Sequence, residues 1–232
     1  MSTIHFIGGE KGGVGKSVVA RLLAQYCIDR SIPFVAVDAD ASNRTLSRFY
    51  ADYVRPVDLT SVESIDEIIG FAMVAERRVL VDLPAQSERA IAAWIGEAGV
   101  FDLAKECGID IHFWHVLDHG KDSLAALDRL IARYGHAAQY TVVKNFGRAR
   151  DFALFDASET RARAEALGAT IIEIPELQEG AMGKVDRFDA SFWAAAHNDA
   201  VGTDALTRMD RHRIKVWLQT NFARIAHLGN AF

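Results

Sequence analysis

The chain has few of the residues that mark disulfide-bonded or cysteine-rich metal-binding proteins. Its 232 residues include two cysteines, and these, Cys27 and Cys107, lie far apart without a Cys-x-x-Cys pattern. Neither a disulfide framework nor a paired-cysteine metal site is indicated, and we expect two buried thiols in a reducing compartment. Only four prolines are present, and no linker, internal repeat or low-complexity tract divides the sequence. One domain over residues 1–232 is therefore expected.

Long apolar runs and an excess of positive charge are also missing. No stretch is long and apolar enough to span a bilayer, and the N-terminal residues lack the basic start and apolar run of a signal peptide, so a cytoplasmic protein is expected. The formal net charge of −5 argues against a broad nucleic-acid-binding surface, although a local basic patch is compatible with an acidic average. The hydrophobic content of 50% is enough for one sizeable core.

Short β-rich runs alternate with stretches of helical periodicity along the chain. This alternation predicts an α/β protein of three layers, with a mostly parallel central sheet and helices on both faces. The predicted strands are Ile4–Ile7, Phe34–Val37, Val79–Val81, Ile111–Val116, Tyr140–Val143 and Thr170–Ile174. The predicted helices, several of which open with a serine as N-cap, are Ser17–Arg30, Ser64–Val74, Glu88–Ala98, Ser123–Tyr134 and Ser158–Leu167.

The C-terminal part, residues 178–232, is expected to be a variable helical part of the same domain. Within it, Gln178–Thr203 mixes glycines with aromatic and charged residues and is interpreted as a long surface connection or a mobile flap. Apolar residues at helical spacing follow from Met209 to Leu228, which predicts a last helix that packs on the core. A membrane-surface helix is the alternative. The basic run at residues 208–215 would either face solvent or contact DNA phosphates or acidic partners.

A glycine-rich loop lies between the first predicted strand and the first predicted helix. Its sequence is Gly9-Glu10-Lys11-Gly12-Gly13-Val14-Gly15-Lys16-Ser17. Glycines let such a loop fold with its N–H groups pointing inward, and the following helix adds its positive N-terminal end, so phosphate oxygens find donors in the backbone. We expect Lys16 to reach the β- and γ-phosphates and Ser17 to hold Mg²⁺ in a P-loop NTPase fold. The expected nucleotide-binding residues of this loop are Gly12, Gly13, Val14, Gly15, Lys16 and Ser17.

The segment Lys11–Ser17 resembles the deviant Walker A motif of the ParA/MinD superfamily. The resemblance implies a signature lysine, here Lys11, which in the family reaches across a nucleotide-sandwich dimer to the partner's phosphates. It therefore implies a homodimer that assembles around ATP, with ATP or ADP and Mg²⁺ as ligands and slow ATP hydrolysis as the activity. A cation supplied by the partner neutralises charge on the transferring phosphoryl group, so Lys11 and Lys16 are candidate catalytic residues.

Acidic residues follow two of the predicted strands, at the edge where open α/β sheets bind ligands. Asp38 and Asp40 follow the second strand and resemble the Asp-x-Asp first switch of the family, which implies that Asp40 orients or activates the attacking water. Asp82 ends an apolar strand of Walker B type, and Leu83–Gln86 resembles the second switch, which senses the γ-phosphate. Asp38 and Asp82 are expected to organise Mg²⁺ together with Ser17.

The first switch departs from the pattern of partition proteins. Those proteins usually show Asp-x-Asp-Pro-Gln-Gly-Asn, whereas this chain has Asp38-Ala39-Asp40-Ala41-Ser42-Asn43-Arg44, so plasmid or chromosome partition is not assured. The segments Ala24–Tyr26 and Arg211–Leu218 are instead similar to TraL-type accessory ATPases of conjugative transfer and mobilisation regions.

Recognition of the base is assigned to two residues at strand ends. Asn145 ends a predicted strand with an amide that can pair with the donor and acceptor edge of adenine. Pro175 lies in Ile172–Leu177, which resembles the Ile-Pro loop that lines the base pocket in the family. An ordinary turn after each strand is the alternative interpretation.

Three classes of function fit these residues. The leading hypothesis is an ATP-dependent dimerisation switch with a protein activator or cargo, which serves partitioning, positioning or DNA transfer; DNA or a membrane surface as partner is not supported by the net charge. The alternative is a small-molecule biosynthetic P-loop enzyme such as a kinase or amidoligase, and Lys11 argues against it because such enzymes generally lack a lysine that acts in trans. The third is an iron–sulfur carrier, against which the spacing of the two cysteines argues.

Overall fold

The structure of the chain, a computed structural model, describes residues 1–9, 11–40, 44–198, 205–229 and 232. Its centre is one parallel sheet. The strands are β1 (Ser2–Gly8), β2 (Phe34–Asp38), β3 (Val54–Pro56), β4 (Arg78–Asp82), β5 (Ile109–Leu117), β6 (Gln139–Asn145) and β7 (Thr170–Ile174). The order across the sheet is β3-β2-β4-β1-β5-β6-β7, and each neighbouring pair runs parallel.

Helices connect the strands, because parallel neighbours need a crossover between them. Those that precede the last strand are α1 (Lys16–Asp29), α2 (Thr45–Phe49), α3 (Val62–Val74), α4 (Glu88–Glu97), α5 (Val100–Glu106), α6 (Lys121–Tyr134), α7 (Ala153–Asp156) and α8 (Glu159–Ala166). Those that follow it are α9 (Glu179–Arg187), α10 (Phe192–His197) and α11 (Arg208–Ala226). Ala51–Tyr53 and Gly135–Ala137 are short 3₁₀ turns.

Helices cover both faces of the sheet, so the protein has three layers. Residues of β1 point alternately to the two faces: Ile7 packs with α1, α2 and α9–α11, whereas Ile4 and Phe6 pack with α3–α8. Burial on both faces explains why the central strands read as nearly unbroken apolar runs. The predicted α/β class, with a parallel sheet between two layers of helices, is confirmed.

The carboxyl ends of three neighbouring strands bring the predicted site together. β4 lies between β1 and β2, and β1 lies between β4 and β5. In the register, Asp82 is opposite Ile7 on β1 and opposite Asp38 on β2. The phosphate loop after β1 and the two acidic strand ends therefore share one edge of the sheet, beside the point where the strand order reverses.

The C-terminal part is more regular than the sequence indicates. The expectation of a surface connection or flap over Gln178–Thr203 is wrong for its described part, which forms α9 and α10; residues 199–204 lie outside the described residues. Gln178 caps α9 by accepting from the N–H of Ala181 at 2.8 Å. Two glycines weaken the helical signal of α9, yet Ala181 and Val185 are buried at helical spacing.

Three smaller predictions are also wrong. The sequence analysis misses β3, because a run of three residues that ends in a proline is too short to show alternation. The expectation that a serine opens several of the helices holds for α8, which Ser158 caps. For the other three helices predicted to open with a serine it is wrong: Ser61 caps α3, and glycines precede α1 and α6. Cys27 is buried, whereas Cys107 is exposed.

The prediction that the last helix packs on the core is confirmed. Thr207 and Asp210 form a capping box at the first turn of α11. The apolar residues of α11 that share one hydrophobic cluster with α1 are Ile214, Trp217, Leu218, Phe222 and Ile225. Among the helices that the structure describes, none is long and apolar enough to cross a membrane.

Trp217 of α11 provides a test of this packing. It is 5% exposed, and its Nε1 donates to the carbonyl of Pro175 at 2.7 Å. We expect Trp217→Ala to lower the free energy of unfolding by about 3–5 kcal/mol, because a large buried side chain is lost and the carbonyl loses its partner. Trp193, which is 50% exposed, provides the matched control, and Trp193→Ala is expected to cost about 1 kcal/mol or less. Urea unfolding measures both variants, and equal losses would contradict the assignment.

Candidate nucleotide-binding site

The phosphate loop turns from β1 into α1 with backbone angles that favour glycine. Gly13 and Gly15 have φ angles of 80° and 100°, which residues with a side chain rarely adopt. Gly15 also lies against Asn145, whose Nδ2 would be 2.1 Å from a Cβ at position 15. A larger residue there would strain the backbone and displace Asn145. Glu10 of this loop lies outside the described residues.

Lys16, the first residue of α1, turns its side chain back over the loop. It is 7% exposed, and its Nζ donates to the carbonyl of Lys11 at 2.9 Å. The ammonium is therefore held at the loop, where the helix N-terminus adds further positive potential. The arrangement can neutralise an anion that lies against the loop.

The two strand-end carboxylates have different surroundings. Oδ2 of Asp38 accepts from the N–H and the hydroxyl of Ser47, each at 3.0 Å, and Oδ1 accepts from the N–H of Asp40 at 3.2 Å. Asp82 is 1% exposed, and its carboxylate oxygens have no hydrogen-bond partner within the described part of the chain. Burial raises the pKa of the Asp82 carboxyl to about 7, and the nearby Ser17 hydroxyl opposes this rise.

The buried carboxylate of Asp82 fits a magnesium site. An unpartnered carboxylate in a protein interior is costly, so its presence beside a cleft indicates a place for a cation. The hydroxyl of Ser17 and the carboxylates of Asp38 and Asp82 are the oxygen donors that Mg²⁺ prefers. Among the described residues, no group of three or more His, Cys, Asp or Glu side chains is arranged to hold a metal ion.

Lys11 lies at the exposed side of the loop. Its Nζ is 3.1 Å from Oδ2 of Asp122 and 3.5 Å from Oδ2 of Asp118, and its side chain is 45% exposed. The hydrogen bond to Asp122 and the charge of Asp118 raise the pKa of Lys11. The side chain of Asp122 is 73% exposed and that of Asp118 is 14% exposed. Because Lys11 itself is exposed, its ammonium is accessible to a second molecule.

Two cavities adjoin at this edge of the sheet. The first, of about 360 Å³, lies between the phosphate loop, Asp40 and α2. The second, of about 430 Å³, lies between Asn145, Pro175 and α9. The residues that line both cavities are Val18, Arg148 and Asp186.

Most of the predicted nucleotide-binding residues line these cavities. Those at the first cavity are Gly12, Gly13, Gly15, Lys16, Ser17 and Asp40. Asn145 and Pro175 line the second. The predicted residues that line neither are Lys11, Val14, Asp38 and Asp82. The last three are buried, so they can shape the site or hold an ion but do not form its surface.

The amide of Asn145 is engaged by the protein itself. Its Nδ2 donates to the carbonyl of Val14 at 2.9 Å, and its Oδ1 accepts from the N–H of Gly147 at 3.1 Å. Asn145 therefore ties the phosphate loop to the end of β6, a role that the sequence analysis misses. Its pairing with adenine stays a prediction, as does the role of Pro175.

The sequence analysis also misses a buried arginine beside the phosphate loop. Arg21, in the second turn of α1, is 2% exposed, and its Nη1 donates to Oδ1 of Asp186 at 2.7 Å. Its guanidinium carbon lies 3.5 Å from the ring centroid of Phe49 and 4.7 Å from that of Phe192. Burial lowers the pKa of Arg21. The available signal was a cation inside the otherwise apolar run Val18–Leu23.

Comparisons with known proteins agree with this geometry. No protein-family model matches the chain. The sequence is 25% identical to the protein TraL of Escherichia coli over 93% of this chain and 94% of TraL. It is 26% identical to the protein MobD of Acidithiobacillus ferrooxidans over 76% of this chain and 79% of MobD. The structure is similar to the septum site-determining protein MinD of Pyrococcus horikoshii in complex with Mg-ADP, with a TM-score of 0.56 and 16% identity over 100% of this chain and 99% of MinD.

The fold of the chain is that of MinD. Its sequence is similar to TraL and MobD over most of its length. The resemblance expected from Lys11–Ser17, Ala24–Tyr26 and Arg211–Leu218 is confirmed as a similarity of fold and of sequence.

The phosphate loop provides a test of its own geometry. We expect Gly15→Ala to lower the free energy of unfolding by about 2 kcal/mol or more, because its φ is left-handed and its Cβ would meet the Asn145 amide. Gly12 has open space around a Cβ and is not in the left-handed region. Gly12→Ala is therefore the control, with an expected change below about 1 kcal/mol. Denaturant unfolding without nucleotide compares the two, and equal stability of both variants would contradict the assignment.

Proposed function

We propose that the protein is a Mg²⁺-dependent ATPase switch that binds ATP at the phosphate loop, dimerises around it and hydrolyses it slowly. The observation that carries the proposal is the presence of two lysines in one loop with different surroundings. Lys16 is buried over the loop, whereas Lys11 is 45% exposed and lines neither cavity. Lys16 neutralises the phosphates that are bound by its own loop. The exposed Lys11 supports a role towards a second subunit.

The first cavity accepts the triphosphate. Backbone N–H groups of Gly12–Gly15 and the Lys16 ammonium meet its negative charge. Ser17, Asp38 and Asp82 hold Mg²⁺ directly or through water, and the ion, when bound, offsets phosphate charge. The second cavity accepts the adenine base.

Asp40 is the residue that acts on the attacking water. It lines the first cavity together with Lys16 and Ser17. A carboxylate at this place can orient the water or accept its proton. Asp38 is less suited to the role, because it is buried and lines neither cavity.

Lys11 couples hydrolysis to association. In the single chain it pairs with Asp118 and Asp122 at the protein surface. The pair with Asp122, which is 73% exposed, is weak because solvent screens it. Phosphate oxygens of a neighbouring subunit can therefore compete with the two carboxylates for Lys11. A lysine that neutralises the partner's γ-phosphate favours the dimer with ATP over the dimer with ADP.

The relatives in sequence support a setting for the proposed switch. The similarity to TraL and MobD supports an accessory role in conjugative transfer or mobilisation. In that role the chain acts as one P-loop domain in the cytoplasm, and the ATP-bound dimer recognises a protein activator or cargo.

The signature lysine can be tested by the oligomeric state. The oligomeric state is measured by light scattering after size exclusion, once with ADP and once with ATP and Mg²⁺. The wild type should be a dimer with ATP and Mg²⁺ and a monomer with ADP. Lys11→Ala should stay monomeric with ATP, because the cation that acts across the interface is missing. Lys121→Ala removes another exposed lysine, at the start of α6, and should dimerise normally. Normal ATP-dependent dimerisation of Lys11→Ala would contradict the mechanism.

The role of Asp40 can be tested by hydrolysis. Asp40→Ala should still bind ATP. It should release phosphate at least about 100-fold more slowly than the wild type, because the attacking water is no longer oriented. It should therefore remain dimeric for longer. Lys16→Ala should lose ATP binding and serves as the negative control. Phosphate release and light scattering measure both variants. A wild-type protein that binds ATP but is monomeric in each nucleotide state would favour the small-molecule kinase or amidoligase instead.

A further inference from the structure

We propose that Asp186, held in place by the buried Arg21, binds the ribose hydroxyls of the nucleotide and makes the site selective for ribonucleotides. The inference rests on the proposed function, because it takes the triphosphate at the first cavity and the base at the second. It adds a specificity-determining residue that lies on α9, outside the phosphate loop and both switches.

The position of Asp186 carries the first step. In a nucleoside triphosphate the ribose is the covalent link between the base and the phosphates, so it must lie where the two cavities meet. The side chains shared by both linings are Val18, Arg148 and Asp186. Val18 is apolar, and Arg148 is a cation that suits phosphate. Asp186 is thus the shared side chain that can accept hydrogen bonds from hydroxyl groups.

Arg21 provides the second observation, because it holds the carboxylate of Asp186 in a fixed position at the site. Arg21 is 2% exposed, whereas Asp186 is 45% exposed. Its Nη1 donates to Oδ1 of Asp186 at 2.7 Å, while Nε and Nη2 have no hydrogen-bond partner in the described part of the chain. A buried cation needs an anionic partner, and the rings of Phe49 and Phe192 pack against the guanidinium, with centroids 3.5 Å and 4.7 Å from its carbon. Asp186 is therefore fixed through Oδ1, and Oδ2 is available to a ligand.

The charge of Arg21 also explains how a carboxylate is tolerated beside a polyphosphate. An unpaired carboxylate at the junction would repel the α-phosphate. The bond to Arg21 offsets that charge but leaves the oxygens able to accept, and a carboxylate accepts hydrogen bonds from hydroxyls more strongly than a neutral group does. Vicinal 2′- and 3′-hydroxyls are the donors of a nucleotide that fit this acceptor.

The first experiment uses the wild-type protein and compares the affinities for ATP, 2′-deoxy-ATP and 3′-deoxy-ATP with Mg²⁺ by calorimetry. We expect at least one of the deoxynucleotides to bind about tenfold more weakly than ATP, because a hydrogen bond to a charged acceptor is lost. Equal affinities for the three nucleotides would overturn the inference. Because the three nucleotides are compared on the wild-type protein, a folding defect of a variant cannot affect the result.

The second experiment assigns the selectivity to Asp186. In Asp186→Asn, ATP should bind about as weakly as the deoxynucleotide does, so that the ratio of the two affinities falls towards one. Asp189→Asn is the matched control: Asp189 lies three positions further along the chain, also pairs with an arginine, Arg48, and lines neither cavity. It should retain the wild-type ratio. An unchanged ratio in Asp186→Asn would overturn the inference.

The role of Arg21 as a positioning residue needs a separate test. Asp186→Asn leaves a buried guanidinium without an anion, so thermal unfolding is measured alongside. If that variant does not fold, the double variant Arg21→Met with Asp186→Asn removes both charges and is expected to show the same loss of selectivity. Arg21→Met alone should reduce the ribose selectivity, and Arg21→Lys should restore part of it, whereas a purely structural arginine would change stability and leave the ratio unchanged.

The outcomes separate this inference from the proposed function. If the wild type binds ATP and Lys16→Ala does not, but ATP and the deoxynucleotides bind equally, the ribose site fails and the ATP switch stands. If the wild type binds none of the three nucleotides, both fail.

Discussion

The amide of Asn145 joins the two halves of the nucleotide site. Its Nδ2 bonds the carbonyl of Val14, and Gly15 packs against it without room for a Cβ. The following residue, Phe146, donates its N–H to the carbonyl of Ile174 at the end of β7, at 2.9 Å. The phosphate loop, β6 and β7 are thus one hydrogen-bonded unit. Because that unit is anchored in the sheet, the distance from the first cavity to the second is fixed by strand spacing rather than by loops.

The buried charges of the site have partners of very different quality. Arg21 has Asp186, and Asp38 has the N–H and hydroxyl of Ser47. Asp82 has no hydrogen bond to either oxygen within the described residues. A protein selected for stability alone would not keep such a carboxylate in its interior, and departures of this kind are expected at functional sites. The cost is borne by the ligand-free protein and is relieved when a cation offsets the charge.

The features that were predictable from the sequence are those set by neighbouring residues. The glycines and Lys16 define the phosphate loop locally, and Asp38 and Asp82 each end an apolar strand, so parallel pairing brings them to one edge. The pair of Arg21 and Asp186 was not predictable, because 165 positions separate the two residues. Their contact depends on α9 lying near α1 in the folded chain, and α9 itself gave too weak a periodic signal to be placed.

The contacts of Lys11 show how such a loop can serve a switch. Its partners Asp118 and Asp122 lie at the end of β5 and in the first turn of α6, so the lysine is held close to the body of its own subunit. Asp118 is 14% exposed, whereas Asp122 is 73% exposed and solvent screens its pair with Lys11. The two pairs therefore define a resting position for the lysine. A phosphate inside a closed interface attracts the same ammonium far more strongly, because water is excluded there. In the proposed switch, the preference for the dimer would therefore depend on the charge of the bound nucleotide, because loss of the γ-phosphate removes the anion that draws Lys11 away from its own carboxylates.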